Sequence, residues 1–246
     1  MEKQMKDILQ DIVSHTHSLG FITTLKIKAD QETEIESMAE DRSVILKGTT
    51  HSPVGEFSGV FGMPDLGKLA YHLKNPEYQE NAKIDVVSDE RNGEVVPTHI
   101  HFENSTGDFT NDYRFMNTVT IEEKLKSVKF NVNSWDVTFE PSMAAIARMK
   151  LMSGAHSEET VFQVKTEDGN LNFYFGELNT HAGNFTFQHD VGGTLQHTWA
   201  WPVSQVIAIL NLDGDKTMHI TNQGAMQISV DSGMAKYDYI LPAQQK

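Results

Sequence analysis

The chain contains no cysteine. That absence excludes a disulfide scaffold, an iron–sulfur cluster, a cysteine-ligated zinc site and a thiol nucleophile. Positive charge is scarce as well: 20 Lys and Arg stand against 34 Asp and Glu, a formal net charge of −14. This excludes nucleic-acid binding through bulk positive charge but leaves room for local basic patches. No apolar run reaches the roughly 18 residues of a membrane-spanning helix. The opening stretch, Met1 to Val13, mixes acids into its apolar residues and lacks a signal-peptide core, so the expected location is the cytoplasm. What the chain does have is 246 residues, 39% of them hydrophobic, with 13 Phe, which suffices for one large core or two smaller ones.

Two segments repeat. Phe61-Gly62-Met63-Pro64-Asp65-Leu66-Gly67-Lys68-Leu69-Ala70-Tyr71 resembles Trp199-Ala200-Trp201-Pro202-Val203-Ser204-Gln205-Val206-Ile207-Ala208-Ile209, with Pro202 lying 138 residues after Pro64. Each reads as an extended stretch that enters a short amphipathic helix, with proline in the first turn where its missing N–H costs nothing. At the same offset, Met5, Ile8, Leu9 and Val13 map onto Met143, Ile146, Ala147 and Leu151, the apolar face of a second pair of helices. The spacing predicts helices over about 4–18, 64–74, 141–153 and 202–211, with Pro141 at the start of the third. A third pair, Tyr113-Arg114-Phe115-Met116 and Tyr237-Asp238-Tyr239-Ile240, is offset by 124, which places 14 extra residues in the polar stretch from Asn75 to Pro97.

Between the helices the chain reads as strands. Leu25 to Ile27, Val44 to Leu46, Leu171 to Phe175 and Phe185 to Phe187 are short apolar or alternating runs. The stretch from Met218 to Leu241 is a meander with glycine-marked turns. The implied architecture is α+β: two similar domains, each a β-sheet carrying two helices, over residues 1–118 and 131–246. A charged link, residues 119–130, joins them across the surface.

The segments Phe61 to Leu69 and Lys236-Tyr237-Asp238-Tyr239-Ile240-Leu241-Pro242, set in a duplicated two-helix, β-meander unit, resemble those of the DNA sliding clamps. The likeness is to the two-domain clamps, namely the T-even type phage polymerase processivity factors and proliferating cell nuclear antigen. It implies the DNA clamp fold, a homotrimeric ring of six domains with helices lining the hole, and a processivity factor for DNA replication. The implied partners are double-stranded DNA held topologically, a DNA polymerase and a clamp loader, with no membrane, no cofactor and no catalysis. For a viral clamp the cytoplasm is the host's.

The charge distribution suits that expectation. Counted over residues 1–19, 64–74, 141–153 and 202–212, the helical segments hold Lys3, Lys6, Lys68, Lys74, Arg148 and Lys150 against four acids, while the rest of the chain holds 14 bases against 30 acids. These six bases are the expected DNA-facing residues, making sequence-independent, salt-sensitive contacts. The resemblance also implies a hydrophobic pocket for partner peptides near the closing strand, to which Tyr239, Leu241 and Pro242 would contribute, with Val44 and Leu46 from the first domain. Strand alternation would turn Tyr239 and Leu241 toward the peptide and Ile240 toward the core.

Other constellations give less. His99-Ile100-His101 puts two imidazoles on one strand face, and His15-Thr16-His17 lies near a helix end. A metal site needs three or four ligands in fixed geometry, and no helical His pair supports one, so no metal is expected. Asp213-Gly214-Asp215 lacks the rest of a calcium loop and reads as a turn. Gly192-Gly193 and the Gly59/Gly62 pair are too sparse for a phosphate loop, and no GxSxG elbow or paired acid and base is present. Trp199 and Trp201 are expected to be buried where sheet and helix meet. The rival readings are a β-rich hydrolase and a virion structural protein built from duplicated β domains.

Overall fold

The first helix, α1 (Glu2–Ser14), and the fourth, α4 (Met143–Ala155), open two copies of one element sequence. A computed structural model describes residues 2–91, 93–126, 132, 134–177, 179 and 181–244. It divides into two units: Met1–Arg42 with Leu46–Val128 and Ser232–Tyr237, and Ser43–Ile45 with Lys129–Asp231 and Asp238–Lys246.

In the first unit, α1 is followed by β1 (Leu25–Ala29), β2 (Thr33–Met38), β3 (Ile45–Thr50) and β4 (Gly59–Met63). Then come α2 (Leu66–Lys74), β5 (Lys83–Arg91), β6 (Glu94–Glu103) and β7 (Thr110–Arg114). In the second unit, α4 is followed by β9 (Val161–Glu167), β10 (Asn170–Phe175), β11 (Gly183–Gln188) and β12 (Trp199–Pro202), then α5 (Val203–Leu210) and β13 (Asp215–Thr221), β14 (Ala225–Asp231) and β15 (Ala235–Pro242). The spatial order repeats too. The strand before the second helix folds back beside the strand after the first, giving β4-β1-β2-β3 in one unit and β12-β9-β10-β11 in the other. Helix α3 (Thr118–Lys124) and strand β8 (Val137–Phe139), the latter paired with β13, stand outside the repeat.

Helix α1 buries Met5, Ile8, Leu9, Ile12 and Val13, a stripe with spacings of three and four. Helix α4 buries Ala145, Ile146 and Met149. This corrects the sequence register. Of the four residues matched at an offset of 138, Ala147 is exposed, and Met143 and Leu151 are 77% and 75% exposed. Ile8, Leu9 and Ile12 correspond instead to Ala145, Ile146 and Met149, each 137 residues later. The strand pairing agrees: Leu25 faces Met63 where Phe162 faces Trp201, so the offset grows from 137 to 138 within each repeat. Apolar type alone could not separate the two registers, because α4 is apolar on both faces.

The prolines also sit one or two positions outside their helices. Pro202 is the N-cap of α5, Pro64 precedes the N-cap Asp65, and Pro141 precedes Ser142, whose side chain accepts the Ala145 N–H. Asp213 to Gly214 is a turn leading into β13. Trp201 is fully buried and Trp199 half-buried.

The predicted surface link begins instead as a helix. Asn117 caps α3 by accepting the Thr120 N–H, and Ile121 is completely buried. Ile121 lies against Gly62 of β4, where a Cβ would meet its side chain at 2.8 Å, so only glycine admits the helix this closely. Residues 127–130, which the sequence assigns to the end of the link, lie outside the described residues.

The polar stretch read as an insertion contains β5 and the start of β6. With β7 they form a separate antiparallel three-stranded sheet. One face of it, with Ile84, Ile100, Phe102 and Tyr113, is buried. The other carries its charged and histidine residues outward, in the alternation of a half-buried sheet.

Candidate nucleic-acid interface

Within each unit the two repeated helices lie side by side, α1 by α2 and α4 by α5. Helix α2 buries Leu66, Leu69, Ala70 and Leu73 and presents Lys68, Tyr71 and Lys74 to solvent, three residues apart. Helix α4 presents Arg148, Lys150 and Leu151. Neither helix contains an Asp or Glu, nor does α5. The solvent faces of α2, α4 and α5 are therefore basic or neutral on a strongly acidic chain, whereas α1 carries Glu2, Asp7 and Asp11.

The six predicted bases have different fates. Lys68, Lys74, Arg148 and Lys150 are exposed on their helices, Lys68 sharing its charge with Asp65 at 3.5 Å. Lys6 is committed elsewhere: its ammonium donates to the Tyr78 carbonyl at 2.8 Å and to the Gln79 side chain at 3.1 Å, fastening the turn after α2. Lys3 lies in α1, but its side chain is outside the described residues. The sequence reading missed Lys216 of β13. Burial is the main cause that lowers its pKa, the neighbouring Lys150 charge adds to it, and Asp213 and Asp215 oppose it. Its ammonium donates to the Gly214 carbonyl at 2.9 Å. A base on a strand, brought near α4 only by the fold, leaves no local sequence signal.

The predicted peptide pocket requires correction. Tyr239, Leu241, Val44 and Leu46 are completely buried, and Ile240 nearly so; only Pro242 remains half-exposed. Both faces of the strand end are covered, so alternation does not divide it into a core face and an open face. The cause lies in how the strand is held. Trp201 Nε1 donates to the Leu241 carbonyl at 3.0 Å, the Ala243 N–H to Gly224 at 2.8 Å, and the Gln244 N–H to Ala200 at 2.9 Å. None of the five residues lines the pocket of about 590 Å³ in the first unit, which is bounded by Met5, Ile8, His51, Pro53, Val54 and Met234.

The histidine pair acquires a neighbour. The register of β6 and β7 sets His101 opposite Asp112 and His99 opposite Arg114. His101 Nδ1 lies 2.8 Å from Asp112 Oδ1, and His99 Nε2 lies 3.6 Å from the same oxygen. A hydrogen bond from His101 is the largest influence on the Asp112 carboxyl and holds it below the ordinary carboxylate range.

Comparison with known proteins places this geometry. The fold matches that of Archaeoglobus fulgidus PCNA solved with the C-terminal region of FEN-1, with a TM-score of 0.68 at 10% identity, over 100% of this chain and 97% of that one. It matches PCNA from Thermococcus kodakaraensis with a TM-score of 0.64 at 11% identity, over 96% of this chain and 97% of that one. It matches PCNA from Entamoeba histolytica with a TM-score of 0.65 at 10% identity, over 98% and 95% of the two chains. No family model matches the sequence, and no curated protein matches it. The chain thus has the two-domain α+β fold of a DNA clamp. More narrowly, it is the PCNA-like form of that fold, reached with very different residues.

Proposed function

We propose that this protein is a sliding clamp, a DNA polymerase processivity factor acting in DNA replication. Three copies close into a ring of six similar domains. The solvent faces of α1, α2, α4 and α5 turn toward duplex DNA in the hole, and Lys68, Lys74, Arg148 and Lys150 touch phosphates without reading bases. The protein does no chemistry. It holds the polymerase at the template and raises its effective concentration there, and a clamp loader opens the ring to admit DNA. That role belongs in the cytoplasm, the host's if the protein is viral.

One observation carries this reading: a duplicated two-helix, seven-strand unit that matches PCNA chains over 95% or more of their length. The exposed Lys68, Lys74, Arg148 and Lys150, on helices that carry no acid, support it. The archaeal PCNA structure holds a C-terminal region of FEN-1; by analogy this clamp takes partner tails on exposed apolar surface, with Pro242 as the remaining candidate of the predicted set.

The test is retention on DNA. Loaded onto nicked circular duplex, the protein should stay bound through a salt wash and leave once the circle is linearised. Retention that is indifferent to linearisation would contradict the proposal.

A further inference from the structure

We propose that His99, His101 and Asp112 form a binding site for a divalent transition-metal ion of the zinc type on the exposed face of the β5-β6-β7 sheet. The three residues offer ligand atoms that all lie within 4.8 Å of one another. Two of them alternate along β6, and the third faces them from β7. Two imidazoles and a carboxylate suit Zn²⁺ and its first-row neighbours rather than Mg²⁺ or Ca²⁺, which take oxygen ligands. Three protein ligands leave one position of a tetrahedral ion for water.

The surroundings fix the rings for this purpose. Thr98 donates its hydroxyl hydrogen to the Val87 carbonyl at 3.0 Å, so its oxygen is left to accept from His99 Nδ1, 2.9 Å away. That assigns the ring proton to Nδ1 and leaves the Nε2 lone pair facing Asp112. For His101, Glu103 lies 3.5 Å from Nε2, on the side opposite Asp112. When an ion enters, the His101 ring proton moves from Nδ1 to Nε2, where Glu103 accepts it, and Nδ1 becomes a ligand. Each imidazole thus has an outer partner that orients its lone pair inward, the usual support for a metal-binding histidine. Asp112 Oδ2 lies 3.6 Å from the Arg114 guanidinium, which leaves Oδ1 as the ligating oxygen. Tetrahedral zinc places its ligand atoms about 3.3 Å apart, so the 2.8 Å His101–Asp112 contact must open slightly while His99, at 3.6 Å from Asp112 Oδ1, closes in.

The experiment is a Zn²⁺ titration of the metal-stripped full-length protein by calorimetry and chelator competition, with circular dichroism on every variant. One ion per chain should bind at micromolar concentration. H99A and H101A should each abolish binding, whereas H189A, which alters an exposed histidine elsewhere, should not. T98V should weaken binding by about tenfold or more through loss of ring orientation, and T98S should restore it. On the unaltered protein, Zn²⁺ should shift the imidazole ¹⁵N resonances of His99 and His101 before those of any other histidine. Absence of binding at micromolar concentration would overturn the proposal. So would binding that survives both H99A and H101A, or a first response at other histidines.

Discussion

Tyr237, near the end of the chain, lays its ring flat on His15 at the end of the first helix, with centroids 4.7 Å apart and planes 3° from parallel. Its hydroxyl donates to Asp11 Oδ2 at 2.8 Å. Asp11 also accepts from Ser232 at 3.0 Å and lies 3.3 Å from His15 Nδ1. Segment Ser232–Tyr237 is thereby fastened to a unit whose remaining residues end more than a hundred positions earlier. Burial opposes ionisation of Asp11, but the hydrogen bonds from His15, Tyr237 and Ser232 outweigh it and lower the pKa.

Asp11→Asn should cost about 1–3 kcal/mol and Tyr237→Phe about 1 kcal/mol of unfolding free energy. The pH dependence follows from the direction of the shift. The unfolded chain protonates Asp11 near the ordinary value of 3.8, whereas the folded chain does so only lower. The stabilisation is therefore complete above that value and is lost as pH falls through the folded pKa. Denaturant titrations from neutral to acid pH should show this loss in the native protein, and a smaller one in Asp11→Asn.

Gly62→Ala should destabilise by about 1–3 kcal/mol, since its methyl group would enter the Ile121 side chain. Thermal melts of Gly62→Ala, Ile121→Ala and the double variant should show the double costing less than the sum of the singles, because the shortened Ile121 leaves space for the new methyl.

Leu241→Asp should cost about 3 kcal/mol or more by burying an unpaired carboxylate. Because Leu241 and Ile240 are both buried, Leu241→Asp and Ile240→Asp should both lose folded protein in a melting assay. A folded Leu241→Asp protein defective only in polymerase stimulation would show that this side chain is open to a partner after all.

The contrast between Leu241 and Ile146 shows what the sequence made legible. The helices, the meander and the duplication could be read because prolines, glycine turns and apolar spacing are local signals. Burial on both strand faces at Tyr239 to Leu241 could not be, because it depends on parts of the chain distant in sequence, such as Trp201, whose indole donates to the Leu241 carbonyl. Helix α3 was hidden because Glu122, Glu123 and Lys124 surround its single buried residue, Ile121. The polar β5-β6 hairpin looked like an insertion because its outward face is charged. Among the bases, composition identified the helices but could not show that Lys6 is spent on a turn, or that Lys216 lies near Lys150.

Arg148→Glu and Lys150→Glu, at exposed helix positions, should leave stability within about 0.5 kcal/mol and topological retention on circular DNA intact, yet weaken the direct, salt-sensitive contact with linear duplex. The log–log salt slope should fall with each phosphate contact removed, by about 0.9 per contact. Lys6→Glu should instead lower the melting temperature, since it removes the hydrogen bonds to Tyr78 and Gln79.

The mass of the assembly tests the clamp reading most directly. Native mass spectrometry and light scattering over a range of concentrations should find a discrete species of three chains, each of 27.6 kDa, with no further growth on concentration. A protein that remains monomeric at every concentration, or that assembles without limit, would contradict the account.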